Sequence, residues 1–293
     1  VQLQKQLKRT LQPWGYLLPV LVGLVVFTTG PVVVSLLLSF ARWDITSMPV
    51  FIGGTNYSEL FAAPLFWQVM GNTGFYAILY VPLNIILSLG LALLVHKKIR
   101  GVGFFRTLYF LPVVTSMVAA AMIFRWLYNS DVGLLNYLLG LVGISGPRWL
   151  EDPHWAMPSL VLLGVWKNAG YNMMIFLAGL SNVPQELHEA ARLDGASAPK
   201  RFFRITLPLL SPVLFFVLVV TTISAFQVFE QTYVLTQNGP GNSTLTLSYY
   251  IWETAFQFFN MGSASAMAYI LFALLGVLTL LQFWVRKRWV FQQ

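Results

Sequence analysis

Glu189, Arg192 and Asp194 fall within six residues of the stretch EAARLDGASAPKRFFRITLP (189–208), and Lys200, Arg201 and Arg204 follow directly. The chemistry this suits is docking. Ala190, Ala191 and Ala196 carry almost no side chain, so another backbone can approach closely, while the neighbouring charges fix a register. Gly195 can take the left-handed conformation that ends a helix after Asp194. An ordinary amphipathic surface loop, with cations present only for topology, would use the same residue types. A second set of polar residues lies elsewhere in apolar surroundings: Lys167, Asn168 and Asn172, then Ser224, Gln227 and either Glu230 or Gln231. Asn168 and Asn172 are four apart and share a helix face, and the second set repeats every three or four residues. With Trp166, Tyr171 and Phe226 nearby, they combine amides and hydroxyls with flat rings, a mixture that suits the hydroxyl rim and C–H face of a sugar. Hydrogen bonding between helices, or headgroup contact for Lys167 and Glu230, accounts for them equally well.

No hydrolytic chemistry is apparent. The chain has no G-x-x-x-x-G-K-[ST] phosphate loop, and His96, His154 and His188 are scattered. It has no cysteine, which removes disulfides and thiolate metal sites. An enzyme acting on lipid-linked substrates would need converging acids, bases or metal ligands at one membrane face, and none assemble.

The elements that position these residues are membrane spans. Of the 293 residues 57% are hydrophobic and only 10% charged, against about 25% charged in an ordinary globular protein. Six stretches reach the length of about 20 apolar residues that a spanning helix needs: about 14–40, 69–95, 107–127, 156–180, 207–234 and 264–285. The fold class expected is an all-α membrane protein of six transmembrane helices. The first apolar run is too long for a signal-peptide core and lacks a small-residue cleavage pattern, so it is expected to be retained. Pro31, Pro82 and Pro112 lie inside the spans, where neighbouring helices can satisfy the freed backbone.

Lys and Arg near span ends set orientation. Lys5, Lys8 and Arg9 precede the first span, and Lys97, Lys98, Arg100 and Arg106 follow the second. Arg192, Lys200, Arg201 and Arg204 follow the fourth, and Arg286, Lys287 and Arg288 follow the sixth. All lie on one side of a six-span arrangement, and only Arg42, Arg125, Arg148 and Lys167 of the 18 cations fall elsewhere. Both termini are therefore expected in the cytoplasm, and the net charge of +8 needs no nucleic acid to explain it. The outer connections, about 41–68, 128–155 and 235–263, read as folded loops and short surface helices. Trp126, Tyr128 and Trp149 are expected in the outer aromatic belt. No internal repeat is visible, and residues 1–293 read as a single membrane domain.

The loop at 181–208 thus lies between spans four and five, on the cytoplasmic side. Pro184 suits the first turn of a helix, Gln185, Glu186 and Glu189 suit its N-terminal half, and Asp194-Gly195 ends it. Ser197 can cap a second short helix that carries Pro199 in its first turn.

This stretch resembles the EAA loop of membrane permease subunits of binding-protein-dependent ABC importers. Glu189, Ala190, Ala191, Asp194, Gly195, Ala196, Phe202, Ile205, Leu207 and Pro208 match the pattern without a gap. WKNAGYNMMIFLAGLSNVPQEL, VFEQTYVLTQNGPGNSTLTLSYYIWETAF and GSASAMAYILF are similar to the carbohydrate-uptake branch, with TQNGP departing from its usual Gly pair. The resemblance implies a five-helix permease core plus an extra N-terminal helix in a bacterial inner membrane. It also implies that this chain hydrolyses nothing, and that ATP and Mg are bound by two partner ATPase subunits. Its other implied partners are a second homologous permease subunit that is a different chain, an extracytoplasmic solute-binding protein, a carbohydrate substrate and membrane lipid. Residues 189–192 and 194–196 would form the coupling surface, with Glu189 as the polar contact and Gly195 as the turn. The substrate would be a sugar or oligosaccharide; a glycerol-phosphate or other polyol system looks alike in sequence.

Overall fold

The computed structural model describes residues 14, 16–96, 101–287 and 290. Of the orienting cations, Lys5, Lys8, Arg9, Lys97, Lys98, Arg100 and Arg288 lie outside them. The chain divides into two compact units, 1–63 with 251–270, and 64–250 with 271–293.

In the first unit, α1 (Tyr16–Leu38) is long and apolar enough to cross a membrane and contains a π-helical turn at Val25–Thr29. Two residue pairs, β1 (Ala41–Arg42) and β2 (Val50–Phe51), form an antiparallel ribbon in register Ala41↔Phe51 and Arg42↔Val50, which composition did not suggest. The short helix α2 (Thr55–Ala62) follows. Buried Asn56 ties this region together, its amide donating to the carbonyls of Ser39 (2.8 Å) and Ala41 (2.9 Å). Gly262 is required here, because a Cβ would stand 2.1 Å from the Ala41 oxygen.

The second unit is a helical bundle around one central element. Its helices are α3 (Pro64–His96), α4 (Val102–Val114), α5 (Met117–Leu127), α6 (Leu134–Leu141) and α7 (Pro153–Ser181). They are followed by α8 (Gln185–Leu193), α9 (Ala198–Arg201), α10 (Leu207–Phe226), α11 (Glu230–Leu235) and α12 (Leu247–Trp252). The last helix, α13 (Met261–Arg286), begins in the first unit and ends in the second. α7 packs most extensively on α3, and also on α4 and α10. Asp152 starts α7, its carboxylate accepting the His154 backbone N–H at 2.8 Å, which holds the carboxyl below its ordinary range.

Among the described residues, five helices pass the length and apolarity expected of a span, or six if one bent pair counts as a single crossing. That pair is the third predicted span. The sequence reads as one helix over 107–127, but the structure breaks it at Thr115 and Ser116, both extended (ψ 151° and 139°), and α4 and α5 meet at 97°. Pro112 and the β-branched Val113-Val114-Thr115 run weaken the helix just before the break, and Ser116 starts α5. The fifth span is interrupted too. Gln227, Val228 and Phe229 leave helical geometry between α10 and α11.

Short helices α2, α6 and α12 occupy the connections predicted to hold short surface helices, but α12 has no exposed residue. Trp126 is exposed as the aromatic-belt reading expects. Tyr128 is not: it is buried and donates its hydroxyl to the Ser159 carbonyl at 3.0 Å. Trp149 donates its indole N–H to Asn136 Oδ1 at 2.7 Å. Both rings therefore pin loop to helix. Arg106 likewise does more than orient the chain, because it donates to the Val95 carbonyl near the end of α3 at 3.2 Å.

Candidate functional site: the docking hairpin and the polar seam

The hairpin forms as its sequence dictates. Pro184 sits one residue before the helix, at the N-cap rather than in the first turn, with extended ψ of 129°. Gln185–Leu193 is helical, and Glu186 occupies the first turn, where the dipole favours an acid. Its end is a Schellman motif. Ala196 N–H donates to the Ala191 carbonyl (2.9 Å), Gly195 N–H donates to Arg192 (3.0 Å), and Gly195 is left-handed at φ +74°. A Cβ at Gly195 would meet nothing within 4 Å, so conformation alone demands glycine there. Arg201 then donates from Nη1 to the Ala196 carbonyl at 2.5 Å, fixing the turn against α9. Ser197 stands at the N-cap of α9, but its hydroxyl makes no capping bond; Pro199 is in the first turn as expected. A π-helical turn, Phe202–Thr206, leads into α10.

Glu189, Ala190, Arg192, Asp194 and Gly195 are exposed, and Ala191 and Ala196 half-buried. Leu193, which motif matching passes over because its position in the pattern is open, is 90% exposed at the tip. Behind the hairpin a cavity of about 600 Å3 brings His96, at the end of α3, beside His188, Glu189, Arg192 and Arg201. Two histidines that are scattered in sequence therefore share one cleft.

The polar residues inside the bundle divide into two groups. Tyr76, Tyr80, Asn84 and Ser88 lie four apart along α3; partners from α7 and α11 meet them, and α10 joins through Asn172. Gln231 of α11 donates to the Tyr76 hydroxyl, and Asn168 of α7 to the Tyr80 hydroxyl at 3.0 Å. Asn172 of α7 donates to Asn84 Oδ1 (2.6 Å) and Thr221 Oγ1 of α10 (3.0 Å), and Ser88 to Asn84 at 3.3 Å. The Tyr76 and Tyr80 rings stack at 5.2 Å. Asn168 and Asn172 thus spend their amides holding helices together, at about 0.6 kcal/mol per bond in a membrane. Lys167 is also internal, donating from Nζ to the Val113 carbonyl at 2.9 Å. The four-residue polar spacing on α3 was visible in sequence, and it was the signal that these amides had partners.

Ser224, Gln227 and Glu230, at three-residue intervals across the interruption of span five, remain exposed. So do Trp166, Tyr171 and Met174, on the narrow open face of the otherwise buried α7. Trp166, Tyr171, Ser224, Gln227 and Glu230 therefore lie on the open surface of the bundle, while Asn168 and Asn172 face inward.

The sequence matches the family model "binding-protein-dependent transport system inner membrane component" over residues 84–290, a span that includes the whole hairpin and the polar seam from Asn84 onward. The chain belongs to that family. Two relatives show how far the likeness runs. This inner membrane component is 39% identical over 288 residues to the probable ABC transporter permease protein YesP of Bacillus subtilis (strain 168), covering 97% of this chain and 93% of YesP. It is 36% identical over 280 residues to the lactose transport system permease protein LacF of Rhizobium radiobacter, covering 94% and 93%. A crystal structure of a bacterial ABC transporter involved in the import of the acidic polysaccharide alginate matches with a TM-score of 0.82. The match covers 98% of this chain and 99% of that one; at 24% identity the likeness is one of fold. The inner membrane component is thus a multi-pass transport subunit whose helices follow an ABC importer permease fold.

Proposed function

We propose that this chain forms half of a translocation pathway for a sugar or oligosaccharide, delivered by an extracytoplasmic solute-binding protein. A second homologous permease supplies the other half, and two separate ATPase subunits bind ATP and Mg and drive the cycle. The observation that carries the reading is the hairpin: a rigid, Schellman-capped α8 presents Glu189 and a 90% exposed Leu193 outward. In this reading residues 189–192 and 194–196 dock in an ATPase cleft, and closure of two ATPases rocks the bundle. Both termini are cytoplasmic, in line with the cations that flank the spans.

The substrate reading draws on two supports. Permease relatives that match most of this chain serve lactose and arabinooligosaccharide systems. The exposed groups of α7 and of the end of span five's first helix, Trp166 and Tyr171 with Ser224 and the following Gln227, offer ring faces and hydrogen-bonding groups of the kind that carbohydrates use. Lys167, Asn168 and Asn172 act on the pathway from behind, as its frame.

Calorimetric titration of the cognate binding protein with mono- and oligosaccharides, amino acids and peptides tests the substrate class. A saccharide is expected to bind in the micromolar range or tighter, and that saccharide is expected to enter vesicles holding the reconstituted transporter only with ATP. Selective binding of amino acids or peptides overturns the carbohydrate assignment.

A further inference from the structure

A helix that stops leaves its last carbonyls without intrahelical partners, and at membrane depth no bulk water replaces them. α4 stops in this way at Val114, yet two of its last carbonyls are satisfied. Thr115 Oγ1 donates to Pro112 at 2.7 Å, and Lys167 Nζ donates to Val113 at 2.9 Å. Lys167 lies at the middle of α7 and is only 6% exposed. Its neighbours on α7 hold both halves of the broken span. The Trp166 ring lies 5.1 Å from that of Phe124 on α5. Gly170 lies so close to α4 that a Cβ there would stand 2.2 Å from the Tyr109 carbonyl oxygen. The segment Trp166–Gly170 is therefore a bracket: its ring grips the half after the break, and its ammonium and bare glycine grip the half before it.

We propose that Lys167 is a positioning residue for transport, fixing the angle between the two halves of the third span by capping the Val113 carbonyl. A buried cation is costly in a membrane, and a negative helix C-terminus is where one is best placed. An apolar side chain of similar length would fill the same space and leave the carbonyl bare. The broken span then works as two elements hinged at Thr115–Ser116, and the pathway closes correctly only while the hinge angle is held.

The chain has no cysteine, so two introduced thiols can be labelled cleanly. Phe104 on α4 (69% exposed) and Ile123 on α5 (60% exposed) are suitable sites. Nitroxides on Phe104→Cys and Ile123→Cys, in the full chain in lipid nanodiscs, report the angle by pulsed electron resonance. One narrow distance is expected with Lys167 present, a broadened and shifted distribution with Lys167→Met, and recovery with Lys167→Arg, which still donates. In the transporter with its ATPases, Lys167→Met is expected to lower solute moved per ATP by about tenfold, the weight of one charge-assisted hydrogen bond on a two-state equilibrium. Should Lys167→Met fail to reach the membrane, Lys167→Gln, too short to reach Val113, is read in the same way. A distance distribution unchanged in Lys167→Met or Lys167→Gln, or an Arg variant that behaves like Met, overturns the proposal. The distance measurement needs no ATPase, so its failure is separable from failure of the transport reading.

Discussion

Glu189→Lys is expected to abolish ATP-driven uptake while leaving the chain in the membrane at its normal level. Glu189 is exposed on α8, away from the buried clusters of the bundle, and a substitution at such a place changes stability by no more than about 0.5 kcal/mol. In the docked state its role differs. A carboxylate removed from a desolvated contact costs about 2–5 kcal/mol, and reversing its sign adds repulsion, so the coupled rate is expected to fall at least about a hundredfold. Uptake into right-side-out vesicles loaded with ATP, beside the amount of this chain in the membrane and the ATPases that co-purify with it, checks both halves of the statement. Wild-type uptake with the ATPases still bound would show that Glu189 does not touch them.

The second large effect is structural. Gly170→Val is expected to prevent α4 from seating on α7, and Gly170→Ala to destabilise the bundle by about 1–3 kcal/mol, the range for overpacking a filled contact. The neighbours here are backbone atoms: a Cβ would stand 2.2 Å from the Tyr109 oxygen and 3.0 Å from its carbon. No rotamer change relieves such a clash. Gly90 on α3 is the control, since a Cβ there meets nothing within 4 Å and alanine favours a helix interior over glycine by about 1 kcal/mol. Thermal unfolding in detergent should separate the two, with Gly170→Ala melting lower than wild type and Gly90→Ala no lower. Equal melting temperatures for the two alanine variants would mean that α4 and α7 do not approach as described.

How much could be read in advance depended on whether the signal was local. The spans were legible because apolar length is a property of the run itself. So was the hairpin, because a Pro before a helix and a Gly after it act through their own backbone angles. The break at Thr115–Ser116 was not, since an internal proline such as Pro82 leaves α3 unbroken, and the residue that braces this bend lies more than fifty positions away. Periodicity likewise put Asn168 and Asn172 on one face without saying where that face points. They turned inward because α3 offers Tyr80 and Asn84 at matching height. Ser224 and Gln227 stayed open, on the exposed side of span five. Lys167 was the hardest to place. Its partner is a backbone carbonyl, which leaves no mark on the residue type that carries it.

If the acidic-to-basic hairpin is the handle an ATPase grips, cross-linking from its tip tests it most directly. With Leu193→Cys as the single thiol, a photoreactive maleimide is attached in the intact transporter and irradiated with and without ATP. An adduct of one copy of this chain with one ATPase subunit, its yield changing with nucleotide, is the predicted result. Adducts with lipid alone, or labelling of the introduced thiol by reagents added outside the cell, would contradict it.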